Sequence, residues 1–342
     1  MKIIITDDFI NVLNFNENDT YSFINSFLKL NNVYLIQSSY SKLYSNYKFL
    51  RYHNIARSKI IKSKEINDND VLIHFWFNDY FNFSSIKNIR CQKVFHLLEP
   101  HINSKEKREI TLSCKVDKII CYTAADKFDP FFKKYFQMYN GKVINLPFGF
   151  SDRFKIEEKK IKYKKCALLG SINTTIELDF FRPSSKEFYN FAIENEFVWL
   201  HPMRRKLSLK HNQDVSTSYY PIFPKIKKFD YDIIKVFKEF SFFYACESIL
   251  NFPASKIFEG IACGCIPVIP QIKMYKDLGF NHLENCIYFY PNTYETLIQC
   301  LDELPKISDE KIIEISKNCQ DLARNNFSQK KIAKRLYLEI VK

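Results

Sequence analysis

The sequence predicts an α/β protein with two doubly wound parallel-sheet domains. Short apolar runs, typical of strands buried on both faces, alternate along the chain with segments whose apolar residues recur at helical spacing. The charged segment at residues 151–165 interrupts this alternation near the middle of the chain. With 342 residues, the chain is long enough to form two hydrophobic cores.

The first series of elements predicts an N-terminal domain over residues 1–150. Its expected strands cover residues 2–6, 33–37, 71–77, 94–98, 118–122 and 142–146, and helical spacing marks residues 21–30 and 126–139. Basic and aromatic residues alternate over residues 38–57, which indicates either an exposed helix with a buried aromatic stripe or the lining of a groove. Strands that alternate with helices in this way are typical of a doubly wound sheet.

The second series predicts a C-terminal domain over residues 163–325, followed by a last helix at residues 326–342. The expected strands cover residues 166–170, 196–200, 240–246, 266–269 and 286–290. The expected helices cover residues 231–239, 254–263, 297–304 and 309–325, and the last helix is amphipathic over residues 328–342.

Residues 240–270 predict a βαβ crossover, in which a strand, a polar loop, a helix stopped by Gly264 and a second strand follow one another. Ligands of open α/β sheets bind outside the carboxyl ends of the strands. The free N–H groups and the dipole of a helix start attract phosphate. Ser248, Asn251 or Ser255 is expected to cap the start of this helix.

Lys256 and Glu259 lie on one face of the predicted helix because they are three residues apart. A lysine in the first turn can contact a diphosphate, and a carboxylate nearly one turn later can accept hydrogen bonds from both hydroxyls of a ribose. The same spacing also fits an exposed Lys256–Glu259 ion pair, which would contribute only ~0.2–0.5 kcal/mol. Spacing alone leaves both interpretations open.

The residue string SKIFEGIACGCIPVI resembles the nucleotide-binding signature of GT-B glycosyltransferases. The matching residues are Ser255, Glu259, Ala262, Gly264, Pro267, Val268 and Ile269. The resemblance implies a GT-B fold, with two Rossmann-like domains and a cleft between them, and a last helix that packs back on the N-terminal domain. It also implies that the helix start faces the diphosphate of a sugar nucleotide, while Glu259 holds its ribose. Many retaining members carry an acidic residue eight positions before this glutamate, where the present chain has Asn251.

Weaker similarities to the same fold lie at residues 146–150 and 166–170. LPFGF resembles the corner that closes the first domain, and CALLG resembles the strand and glycine that open the second, with Gly170 as that glycine. The following segment resembles a Gly-Ser loop with a downstream arginine, so Arg182 or Lys186 is a candidate for the donor diphosphate, and a surface position is the alternative for both. The central stretch is also similar to the donor segments of fucosyltransferase-like and exostosin-like GT-B enzymes.

An inverting transfer needs a group that takes the proton of the acceptor. Glu99 follows the predicted strand 94–98 and Asp8 follows the first strand, so both are expected at the carboxyl edge of the N-terminal sheet. The alternative for Glu99 is a simple turn cap before Pro100. His74 and His96 lie inside apolar strands and are expected to be core histidines.

The sequence predicts no metal site. Residues 68–70 and 230–232 match a three-letter DxD pattern, but the first indicates a turn before a strand and the second a helix start. The ten cysteines form no CxxC pair, which favours reduced core residues in a cytoplasmic protein. The N-terminus lacks the apolar core of a signal peptide, and no run reaches the about 18 apolar residues of a membrane helix.

The chain has a formal charge of +13, from 51 Lys and Arg against 38 Asp and Glu. The lysines are scattered and no nucleic-acid motif is present, so nucleic acid is not expected as a partner. The basic side of the last helix predicts either simple packing or peripheral contact with the inner face of a membrane.

The function expected from the resemblance is transfer of a sugar from a nucleoside-diphosphate sugar to a saccharide or lipid-linked surface-glycan acceptor, without metal and without any other cofactor. The alternative from another class is a catalytically degenerate scaffold that acts as a partner subunit. Asn251 at the usual acidic position is the feature that favours this alternative.

Overall fold

The structure is a computed structural model that describes residues 1–6, 19–37, 47–48, 50–75, 87–97, 104–122, 124–128, 130–156, 159, 161–169, 218–222, 232–245 and 253–342. The chain divides into two compact units. Unit 1 comprises Met1–Pro147 together with Gln329–Lys342, and unit 2 comprises Phe148–Ser328.

Unit 1 is built on a seven-stranded sheet in the order β3-β2-β1-β4-β5-β6-β7, in which every pairing is parallel. The strands are β1 (Ile3–Ile5), β2 (Val33–Gln37), β3 (Ile60–Lys62), β4 (Val71–Phe75), β5 (Gln92–Leu97), β6 (Lys118–Tyr122) and β7 (Lys142–Leu146). The helices are α1 (Asp19–Leu28), α2 (Ser104–Ser113), α3 (Ala125–Phe128), α4 (Pro130–Phe136) and the C-terminal α10 (Gln329–Val341). The strand order runs outward in both directions from β1 and β4, as in a doubly wound sheet.

Apolar side chains of the central strands explain the position of the core of unit 1. All five residues of β4 are buried, and Leu72 and Phe95 belong to one apolar cluster with residues of α2 and α4. Helix α10 belongs to this unit because its apolar face packs on α1 and β7. That face consists of the buried residues Ile332, Ala333, Leu336 and Ile340.

Unit 2 is built on a five-stranded parallel sheet in the order β12-β11-β10-β8-β9. The strands are β8 (Tyr163–Leu169), β9 (Tyr219–Ile222), β10 (Phe240–Ala245), β11 (Ile266–Pro270) and β12 (Ile287–Phe289). The helices are α5 (Ile233–Glu239), α6 (Ser255–Ala262), α7 (Lys273–Asp277), α8 (Tyr294–Glu303) and α9 (Asp309–Asn326). The predicted βαβ crossover is therefore confirmed as β10, α6 and β11. Short 3-10 turns lie at Arg57–Lys59, Ser63–Glu65, Asp152–Phe154 and Leu304–Lys306.

The structure differs from the sequence-based expectations mainly at the sheet edges. Strand β3 has three residues of mixed burial, and β9 contains Pro221, so neither shows the apolar run by which the other strands were found. The expected helix at 126–139 divides into α3 and α4, because Pro130 begins the second helix. The expected strand at 196–200 lies outside the described residues.

Candidate functional site

Helix α6 begins at the carboxyl edge of the unit 2 sheet. The carboxyl ends of parallel strands meet at one edge, and α6 follows β10 and precedes β11, both of which it contacts. Crossover helices run antiparallel to their strands, so the start of α6 lies at the edge where ligands of such sheets bind. The first turn of α6 therefore lies at the edge of the sheet where the sequence predicts the sugar-nucleotide donor.

The first turn of α6 has no side-chain cap from any described residue. Its N-cap is Ala254, whose backbone is extended and whose side chain cannot accept a hydrogen bond. The expectation that Ser255 caps the helix is wrong, because Ser255 is already the first helical residue. Ser248 and Asn251 lie outside the described residues. An α-helix leaves its first N–H groups without intrahelical partners, so this end suits an anionic ligand.

Glu259 is buried, with 8 % of its surface exposed, although it is a carboxylate on a short helix. The exposed ion pair with Lys256 that the spacing allowed does not fit this burial. Lys256, one turn nearer the helix start, is half-buried. A buried carboxylate requires hydrogen-bonding or charged partners, because loss of water is costly for the charged form. Glu259 is therefore a carboxylate held away from bulk water, about one turn from the start of α6.

Close packing holds α6 against its own sheet. Gly260 faces β10 so closely that an added Cβ would lie 2.4 Å from Cζ of Phe243. On the other side, the Phe258 ring packs against Phe327 at 4.8 Å and against Phe148 at 6.4 Å between centroids. Only glycine permits the first contact, and the aromatic contacts prevent the helix from sliding.

The carboxyl end of α6 is fixed by Lys159, a residue that sequence reasoning missed. Its Nζ atom donates to the carbonyl oxygens of Phe237 at 3.2 Å, Phe240 at 2.8 Å and Gly264 at 2.8 Å. Burial lowers the pKa of Lys159. In the sequence this lysine lies in a charged segment that predicts a linker, and no local pattern distinguishes it from Lys160.

The corner after α6 depends on Gly264 and on buried thiols. Gly264 has a φ of +69°, and a Cβ there would lie 2.7 Å from Oγ of Ser316, which itself donates to the Gly264 carbonyl at 2.6 Å. The Cys263 thiol donates to the carbonyl of Phe154 at 3.3 Å, and burial together with Cys265 raises its pKa to about 12. These cysteines are therefore structural thiols, as the sequence predicts.

Several predicted site residues lie outside the described residues. They are Asp8, Glu99, Asn251, Gly170 and Arg182. Their proposed roles stay predictions. The structure does bring Ser255, Lys256 and Glu259 together on the first turn and a half of α6.

The described part of the carboxyl edge of unit 1 contains a buried polar pair. Thr6, directly after β1, donates its N–H to the Ile73 carbonyl at 3.0 Å, and its Oγ1 atom hydrogen-bonds with Nδ1 of His74 at 2.8 Å. His74 and His96 are both buried, as expected for core histidines. Burial lowers the pKa of each to about 3, with a further contribution from Lys107 at His96 and from His96 at His74. Both imidazoles are consequently neutral at physiological pH.

One carboxylate of each DxD match has a structural role. Asp70 accepts from the N–H groups of Lys2 at 2.7 Å and Asn67 at 2.9 Å, which confirms a turn before β4. Asp232 caps α5 by accepting from the N–H groups of Ile234 and Lys235. Across the described residues, no group of three or more His, Cys, Asp or Glu side chains is arranged to hold a metal ion.

The fold matches those of solved glycosyltransferase structures over the full chain. HepE from Anabaena, in complex with UDP, aligns with a TM-score of 0.55 at 12% identity and full coverage of both chains. HepE has also been solved with UDP-glucose. A glycosyltransferase from Rickettsia africae ESF-5 aligns with a TM-score of 0.56 at 13% identity, covering 100% of this chain and 99% of that chain. Sucrose-phosphate synthase from Thermosynechococcus elongatus aligns with a TM-score of 0.53 at 9% identity and similar coverage.

These structural similarities show that the chain has the GT-B fold, with two parallel-sheet α/β units. No protein-family model matches the chain, and no curated protein sequence matches it. Within the part of the chain that the structure describes, no helix combines the length and the apolar character needed to cross a bilayer.

Proposed function

We propose that this protein is a glycosyltransferase that moves a sugar from a nucleoside-diphosphate sugar to a saccharide or lipid-linked surface-glycan acceptor. The observation that carries the proposal is the buried carboxylate of Glu259, one turn behind a helix start that no described side chain caps. HepE, which shares the fold, binds UDP and UDP-glucose. The reduced cysteines favour the cytoplasm as the site of action.

The donor is proposed to lie against α6. The N–H groups at the helix start and the Lys256 ammonium contact the diphosphate, while the Glu259 carboxylate accepts hydrogen bonds from the ribose hydroxyls. Negative charge builds on the diphosphate as the sugar departs, and fixed N–H groups with a nearby cation stabilise that charge without a metal. Ser255, Asn251, Gly170 and Arg182 are proposed to complete the donor site.

The acceptor is proposed to be activated from unit 1. Glu99 follows β5 by two residues and Asp8 follows β1 by three, so each is a candidate general base. Glu99 is ranked first because it comes closest to the end of its strand. Substitution of the true base should lower kcat by a factor of about 100 to 10,000 while leaving donor affinity unchanged.

Thermal unfolding in the presence of UDP-, GDP-, CDP- and dTDP-sugars, with and without Mg²⁺, tests the donor site. A ligand at one hundred times its dissociation constant should stabilise the protein by ~2.7 kcal/mol. We expect a shift with one nucleotide, independent of metal, that is lost in Glu259→Gln. Glu314→Ala, which removes an exposed carboxylate from α9, is the matched control and should keep the shift.

Absence of a shift with every nucleotide sugar would favour the catalytically degenerate scaffold. In that case deletion of the gene should change cellular glycan, whereas Glu259→Gln should not. A shift that requires Mg²⁺ would contradict the metal-independent donor site.

A further inference from the structure

Helix α10 buries its apolar face within unit 1 and exposes an opposite face that is strongly basic. This basic face consists of the exposed residues Lys330, Lys331, Lys334, Arg335, Leu338, Val341 and Lys342. Leu338 and Val341 are 46% and 39% exposed and lie at its carboxyl end. Within the described residues, Lys330, Lys334 and Arg335 form no ion pair, so their charge is available to a partner.

The placement of charge along α10 opposes its own helix dipole. Positive side chains are unfavourable near a helix start, where the dipole is positive. Yet Lys330 and Lys331 occupy the first turn of α10, and no acidic residue lies there. Helix α9, directly before it in the chain, follows the usual rule, with Asp309 and Glu310 in its first turn and Arg324 in its last. A helix that departs from a local stability rule in this way is a candidate for function.

The negative groups at the other end of α10 are neutralised. Glu339, the only acidic residue of the helix, accepts from Lys342 at 2.9 Å and from Lys142 at 3.0 Å, and these contacts lower its pKa to about 2. Lys118 donates to the carbonyl of Ile340 at 3.2 Å, where the dipole of the helix is negative. Lys330, Lys334 and Arg335 therefore carry positive charge with no acidic partner among the residues that the structure describes.

We propose that the basic face of α10 docks this protein on an anionic lipid surface. Charge complementarity identifies the partner class, and the two exposed aliphatic side chains suit a lipid headgroup layer better than a nucleic acid. Insertion of the helix itself is excluded, because its apolar face already packs inside unit 1. The contact is therefore electrostatic, reversible by salt, and independent of the function proposed for α6.

Co-sedimentation with phosphatidylcholine vesicles, with and without about one-third phosphatidylglycerol, tests the proposal. We expect binding only to the anionic vesicles, and release of the protein as ionic strength is raised. Each lysine near an anionic surface contributes roughly a factor of five to partitioning, so Lys330→Gln with Lys334→Gln should weaken binding about twenty-five-fold.

The matched control is Lys276→Gln with Lys317→Gln, which removes the same charge from exposed positions of unit 2. Both double variants should unfold within a few degrees of the parent protein, because all four side chains are exposed and helix-dipole effects there are at most about 1 kcal/mol each. Equal binding to neutral vesicles, or an equal loss in the two double variants, would overturn the proposal. Tighter binding to duplex DNA than to anionic vesicles, lost in the α10 variant, would overturn it in favour of a nucleic-acid surface.

Discussion

The two ends of helix α6 are held in opposite ways. At its carboxyl end, the carbonyl of Gly264 accepts from both Lys159 and Ser316, and buried thiols fill the surrounding space. At its amino end, Ala254 offers no side-chain cap. No described side chain caps the first N–H groups of α6, so its position depends on the contacts at its far end and along its sheet face. The contrast distinguishes residues that position α6, such as Lys159 and Gly264, from the candidate ligand-binding residues at its start.

Acidification should lower the free energy of unfolding more than any of the substitutions below. It should act through unit 1 rather than through the corner between α6 and β11 in unit 2. His74 and His96 have a pKa of about 3 when folded and about 6.5 when unfolded, so the unfolded chain binds more protons. Their stabilisation is complete above pH 6.5 and is lost as the pH falls from 6.5 towards 3. The free energy of unfolding should drop by up to about 4 kcal/mol between pH 7.5 and 5.

Urea unfolding at these two pH values measures the acid effect. His74→Phe should remove about 2 kcal/mol of the pH dependence, whereas His282→Gln should remove less, because the ring of His282, at an exposed position in unit 2, keeps more of its hydration and its pKa is lowered less. Equal stability at both pH values would show that the imidazoles of unit 1 are not held neutral by burial.

Lys159→Met should be the most damaging substitution at the fixed end of α6. It leaves the carbonyls of Phe237, Phe240 and Gly264 without their charged donor, which should lower the free energy of unfolding by about 3 kcal/mol. Lys155→Met is the control, since Lys155 pairs with the exposed Asp152 and with no other described carboxylate, and its loss should change stability by under about 0.5 kcal/mol. If the two variants lost similar amounts of stability, the hydrogen bonds of Lys159 would not be what stabilises the carboxyl end of α6.

Gly260→Ala tests the contact between α6 and β10. The new Cβ would overlap the ring of Phe243, so stability should fall by about 1–3 kcal/mol. Calorimetric unfolding measures the change. Ser255→Ala, which adds no volume, should leave stability nearly unaltered. A stable Gly260→Ala variant would mean that α6 can move away from its sheet.

Lys256→Met should have the smallest effect on folding and should act on the ligand alone. Loss of one charged hydrogen-bond donor should weaken binding of the nucleotide identified by the thermal screen about tenfold. The urea midpoint should stay within error of the parent protein. Isothermal titration measures the affinity, with Lys276→Met as the control. If Lys256→Met lowered the stability of the protein but not its affinity for the nucleotide, Lys256 would be a residue that positions α6 rather than one that contacts the ligand.

Much of the fold could be predicted from the sequence because its signals are local. The strands β4, β5, β10 and β11 are mostly apolar, and the helical spacing of α6 ends at a glycine, so each element is visible within a window of about a dozen residues. The short edge strands β3 and β9 were missed, because they lack such a run and form only through pairing with a distant neighbour.

The candidate site could be predicted only in part. Lys256 and Glu259 were found from their spacing and from the resemblance of the surrounding string. The capping role expected of Ser255 was wrong, because residue type alone cannot locate the first helical residue within one position. Lys159 was missed because its hydrogen bond to Gly264 joins residues 105 positions apart.

The sequence by itself determined the α/β class, the central βαβ unit and the chemical identity of the α6 residues, because periodicity and side-chain type are properties of short segments. Only the tertiary structure decided that Glu259 is buried and that Lys159 holds the far end of α6. These outcomes depend on which distant segments exclude water from one another, and no local pattern encodes that.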